Sequence, residues 1–307
     1  MKISTVILFG SLMFLGCEDK KNKESYMSSL TLRIHVGIIP EDYHSQNQLD
    51  VGSNIDKQPA GLTFYEQNWE SNQKGTVIIN DANYGFTIKY VLSSTGTEDV
   101  DYPEKGIDYF SINSSLVSDE FVSHDEARVL FMQTLHELLT IGWNPYIEYF
   151  SPRLAGQQSI RYAIEDGTYE PDPSYVPTLD EWMRLGADHS WMFHVEDVFM
   201  IVSFRRNPQF MESEGKGVYL INYKLFSREA HAQEHFSGET RDKWQAHWVD
   251  EIKISKSHRY QKEVELIKQG YRINTEYVEP KIHPDDPVEP DNARDLTEFI
   301  QRNNPKQ

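Results

Sequence analysis

Cys17 is the sole cysteine in 307 residues, so no internal disulfide can staple this chain. Basic side chains are also scarce. Thirty Lys and Arg stand against 48 Asp and Glu, and the formal charge of −18 makes nucleic acid and anionic lipid headgroups poor partners. The apolar run from Val6 to Leu15 falls well short of the ~20 residues a spanning helix needs. The motifs of nucleophilic and nucleotide chemistry are missing too: there is no G-x-S-x-G elbow, P-loop, dinucleotide fingerprint or H-E-x-x-H helix. No window repeats. Carboxylate pairs such as Glu196-Asp197 and Asp285-Asp286 are what 48 acids produce by chance. These absences lower the odds of an enzyme, although a site can be assembled from distant residues. The chain is read as non-catalytic, with no cofactor and no metal expected.

What is present begins with an address. Residues 1–16 carry one lysine, an apolar run and small Gly16 directly before Cys17, the layout of a signal peptide. Phe14-Leu15-Gly16-Cys17 resembles the lipobox of bacterial lipoproteins. That resemblance implies cleavage before Cys17, acylation of its thiol and a mature chain anchored to a membrane. The cut would remove Lys2 and take the charge from −18 to −19. Residues 17–29 are polar and without periodicity, and read as a flexible tether. The expected location is the bacterial envelope, facing the periplasm, with the choice between inner and outer membrane left open.

The body is expected to be α+β, with antiparallel sheets and hairpins packed on a central buried helix at about 123–141 and on C-terminal helices. That helix is the most completely specified stretch. Ser123 and Glu126 form a capping box, Ala127, Leu130, Phe131, Thr134, Leu135, Leu138 and Ile141 recur at helical spacing, and Val129, Met132 and Leu139 widen the apolar side. Gly142 is placed for a left-handed terminus and Pro145 forbids continuation. Leu30 to Ile38 alternates as a half-buried strand, and 41–59 reads as a long surface loop. Residues 61–65, 76–79 and 86–92 are further strands, the last with Phe86, Ile88, Tyr90 and Leu92 as its buried row. Proline-rich 165–177 marks a boundary, dividing an N-terminal α+β domain at 30–165 from a C-terminal one at 178–278. In the second, Thr178 to Glu181 is a capping box, 191–195 and 198–204 form a hairpin turning at Glu196-Asp197, 218–226 continues the meander, and 239–252 and 258–269 are helical. Residues 279–307 are acidic and proline-rich, and read as a disordered tail with at most a brief helix near Leu296 to Ile300.

Eleven histidines are the first place to look for a metal or a base. His231 and His235, four apart, share a helical face, and His247 follows closely; these three are the metal alternative. His136, His189 and His194 read as structural. Among 17 tyrosines and 6 tryptophans, Tyr43, Tyr65, Trp69, Tyr84, Tyr169 and Tyr175 sit among polar neighbours and are candidate partner-binding anchors.

The spaced series SHDEAR at 123–128, GW at 142–143, SPRLAG at 151–156, DPSYVPTLDEWM at 172–183 and FRR at 204–206 resembles bacterial envelope lipoproteins, among them immunity lipoproteins of type VI secretion antibacterial effectors. The resemblance covers Ile107 to Arg206. It implies a periplasm-facing protein that neutralises a toxin by binding it, and it transfers no catalytic residue. An acidic surface suits a basic toxin. The alternatives are an envelope hydrolase built on His231, His235 and His247, or a passive envelope scaffold.

Overall fold

A computed structural model describes residues 30–49, 54–212, 215–287 and 293–304. The expected signal peptide at 1–16, Cys17 and the expected tether lie outside the described residues. The fold is α+β. Twelve strands and seven α-helices are seen among the described residues.

The strands are β1 (Thr31–Ile34), β2 (Ile55–Lys57), β3 (Leu62–Asn68), β4 (Gly75–Ile79), β5 (Thr87–Asp99), β6 (Ile107–Ser115), β7 (Val122–Ser123), β8 (Asn144–Pro145), β9 (Asp188–Val195), β10 (Val198–Arg206), β11 (Lys216–Gly217) and β12 (Tyr219–Ser227). The helices are α1 (Pro40–Asn47), α2 (His124–Thr140), α3 (Gln157–Asp166), α4 (Leu179–Arg184), α5 (Arg228–Glu234), α6 (Trp244–Lys268) and α7 (Ala293–Asn303). One sheet runs β1-β4-β5-β6-β12-β10-β9-β8, with β3 on β5 and β2 on β3; β7 and β11 form a separate pair. Only β1 and β4 pair in parallel within it. No helix among the described residues is long and apolar enough to cross a membrane.

The expected division into two domains is corrected by this sheet. β6 from the first half pairs with β12 from the second over seven residues, Leu220↔Ser115 to Phe226↔Tyr109. The halves also share a core. Phe131 of α2 lies 5.0 Å from Trp191 and 5.6 Å from Trp182 and Phe204, ring centre to ring centre. Alternation along β10 sends Val198, Met200, Val202 and Phe204 into this core and Phe199 and Ile201 into a second one on the other face, with Tyr146, Tyr149, Phe226, Trp244 and Trp248.

Ser123 caps α2 by accepting the Glu126 amide at 3.2 Å, and Gly142 ends it at φ 109°. The helix is covered on one side only: Ala127, Phe131, Met132, Leu135 and Leu138 are buried while Val129 is 38% exposed. Thr178 and Glu181 close a complete capping box on α4. The 191–204 hairpin turns at Glu196, whose φ is 47°.

Four further expectations are corrected. Residues 41–59 are not all loop: Pro40 starts α1, which buries Tyr43, His44 and Asn47. In β5 the alternation breaks at Tyr90, whose φ of 56° accompanies a register shift against β4, so Val91 rather than Tyr90 points inward. The helices at 239–252 and 258–269 are one, because 253–257 contains neither Gly nor Pro. The described parts of the tail are also pinned. Glu279 pairs with Arg259 and, at 2.6 Å, with Lys256; Trp248 donates to Asp286; Ile282 and Ile300 are buried; and Asn304 exchanges two hydrogen bonds with the Ile273 backbone.

Candidate functional site

Pro145 ends β8, and the chain from Tyr146 to Ser151 crosses the second core as a loop. Its backbone is held from three sides. The Tyr146 amide donates to Met192 O at 2.9 Å, Tyr277 Oη accepts from the Ile147 amide at 2.9 Å, and Arg259 donates to Glu148 O at 2.7 Å. Across from this loop, Ser227 caps α5 by accepting the Ala230 amide at 3.0 Å. The four-residue spacing then puts His231 and His235 on one face.

The result is a three-member cluster. One ligand atom from each of Glu148, His231 and His235 lies within 4.8 Å of the others, and His235 Nε2 stands 3.9 Å from Glu148 Oε2. His231 is 1% exposed; its ring stacks on Phe199 at 4.3 Å, and its Nε2 meets Tyr146 Oη at 3.0 Å. His231 Nδ1 and Glu148 Oε2 are buried with no hydrogen-bond partner. Burial pushes Glu148 up to about 8, helped by the carboxylates of Glu170 and Glu234 and opposed by Arg259. Burial, then the neighbouring His235, takes His231 down to about 3, and burial also lowers His235. Burial thus favours the uncharged form of both imidazoles.

The sequence pairing of His231 with His235 is realised, but the third expected member is not. His247 is exposed on α6; it adjoins Trp248, whose side chain takes the inward direction about 100° away round the helix. Glu148 takes the place expected of His247. Its signal in the sequence is an acid inside the aromatic stretch Tyr146-Ile147-Glu148-Tyr149-Phe150.

Two adjoining cavities open here. One of about 370 Å³ contains the cluster and is lined also by Asp166, Glu170, Glu234 and Lys262. The other, about 510 Å³, is floored by Tyr146, Tyr169 and Tyr277 and rimmed by Glu170, Asp172 and Glu276. Tyr169 and Glu170 line both. Each cavity includes an exposed apolar side chain: Phe150, 52% exposed, in the first and Val278, 82% exposed, in the second.

The six aromatic anchors are elsewhere in their roles. Tyr43, Tyr65, Tyr84 and Tyr169 are buried, and Trp69 and Tyr175 are half-buried against the core. Their polar neighbours in sequence reflect satisfied hydroxyls rather than solvent: Tyr65 donates to Glu98 at 2.6 Å, Tyr169 to Pro152 O at 3.1 Å and Tyr175 to Glu181 at 3.1 Å. Only Tyr169 touches the cleft.

Comparison with known proteins finds no matching family model, no similar curated protein and no similar solved structure.

Proposed function

We propose that this chain is a membrane-anchored lipoprotein of the bacterial envelope that binds and neutralises a basic protein toxin, and that the double cleft is where the toxin docks. The observation that carries the reading is the cleft's composition: exposed Phe150 and Val278 beside tyrosine-lined hollows, with Asp166, Glu170, Asp172 and Glu276 around them. A few desolvated apolar anchors inside a charged rim is how stable protein interfaces distribute their energy. The rim's sign follows that of the whole chain, so a cationic segment is the occupant it favours.

The test is capture and protection together. The full chain, produced with its leader, is used to pull down basic proteins from its own strain and from competitors, and to protect sensitive cells against whatever it retains. Retention of a stoichiometric toxin, with survival only when the chain is expressed, is expected. The double substitution Phe150→Asp and Val278→Asp should abolish both, while Ile254→Asp, a comparably exposed apolar side chain on α6, should leave both intact. Retention that survives the double substitution, or no retained toxin and no protection, would overturn the proposal.

A further inference from the structure

The geometry points to a divalent transition-metal site, of the zinc class, formed by Glu148, His231 and His235 and open to the smaller cavity. Two imidazoles and one carboxylate are the donor set of a zinc ion that keeps a fourth position for water. Imidazole as the majority donor favours zinc and its neighbours in the first transition row over calcium or magnesium, which take oxygen. The spacing is close to what such an ion needs. Donor atoms on a tetrahedral zinc stand roughly 3.4 Å apart, against 3.9 Å between His235 Nε2 and Glu148 Oε2 and at most 4.8 Å across the set. Closing that gap takes a shift of about 0.3 to 0.7 Å at each donor atom.

A second observation is the orphaned carboxylate. A buried imidazole nitrogen without a partner is not distinctive, since His124 Nε2 also has none, but Glu148 Oε2 is the one buried carboxylate oxygen among the described residues left so. In the cluster, two buried atoms, Glu148 Oε2 and His231 Nδ1, have no hydrogen-bond partner. An ion between the three side chains would supply the missing partner for the carboxylate oxygen. The surroundings are built to hold the set still: Arg259 fixes the Glu148 carbonyl, Phe199 stacks on His231, and Trp248 lies edge-on to His235 at 5.4 Å. The fourth position would face the cavity of about 370 Å³. The site opens into the cavity that Phe150 also lines, but zinc binding is measured without toxin, so the failure of either reading is distinguishable from the failure of the other.

The experiment measures zinc binding by the chelator-stripped full chain in detergent, using zinc alone in a competing chelator buffer. One zinc per chain is expected. His231→Asn, His235→Gln and Glu148→Gln should each weaken binding by more than the about 10–100-fold typical of groups that only orient a ligand, while His247→Ala should change it less than twofold. Cobalt(II) in the unsubstituted chain provides a readout that needs no variant to fold: it should show the visible bands of a four- or five-coordinate ion, and azide should shift them by entering the open position. No stoichiometric zinc, a six-coordinate cobalt spectrum, or zinc binding indifferent to all three substitutions in chains whose circular dichroism is unchanged would overturn the site.

Discussion

Glu263 has no exposed surface, yet its carboxylate accepts from the Arg153 amide and Nε at 2.9 Å and from its terminal nitrogen at 2.8 Å. That fork ties the 151–156 loop to α6. Removing one member of such a pair leaves the other buried and unpaired, so Glu263→Leu should cost about 3–5 kcal/mol in urea unfolding. Adding Arg153→Met should recover most of it, because the stranded guanidinium goes as well. A second residue sets a pH dependence. His194 is taken down to about 4 by burial, from an ordinary value near 6.5. The native state then binds fewer protons than the unfolded chain between pH 6.5 and 4, so stability is full above that window and is lost as pH falls through it, by roughly 1 kcal/mol per unit at most. In His194→Gln the stability lost between pH 7 and pH 4.5 should be smaller than in the parent; equal losses would mean that His194 is not kept neutral.

Among the elements, α2 carries the sharpest contrast. Leu135 is fully buried on its inner face and Val129 is exposed on the outer. Leu135→Ala should cost about 2–5 kcal/mol and Val129→Ala under about 0.5 kcal/mol; similar costs would mean the helix is not oriented as described. Much of this was legible. The cap at Ser123, the stop at Gly142, the box at Thr178 and the turn at Glu196 are local chemistry, written in four or five adjacent residues. What could not be read depends on distant partners. The strand β6 pairs with β5 and β12, and no period marked it. The tail lacks apolar residues enough for a core of its own, but Ile282, Ile300 and the Glu279 carboxylate find theirs on the body. The same reason hid half of the cluster: His231 and His235 announce each other across one helical turn, whereas Glu148 reaches them from more than eighty residues away in the chain.

At the scale of the whole molecule, a sheet and a core shared between the two halves leave no seam along which to unfold in parts. Tryptophan fluorescence and far-ultraviolet circular dichroism should therefore report one coincident transition; two separated midpoints would restore the two-domain division. The proposed anchor is tested by Cys17→Ser, which should release the chain from the membrane fraction and abolish fatty-acid labelling. The charge of −18 bears on encounter rather than on fold. If a basic toxin is drawn in by this field and held by Phe150 and Val278, salt and substitution act on different rate constants. Association of the captured toxin with the parent chain should slow by about tenfold or more between low and physiological ionic strength while dissociation hardly changes. The Phe150→Asp and Val278→Asp pair should speed dissociation at every salt concentration. Measured association that ignores salt, together with dissociation unchanged in the double variant, would contradict docking at the acidic cleft.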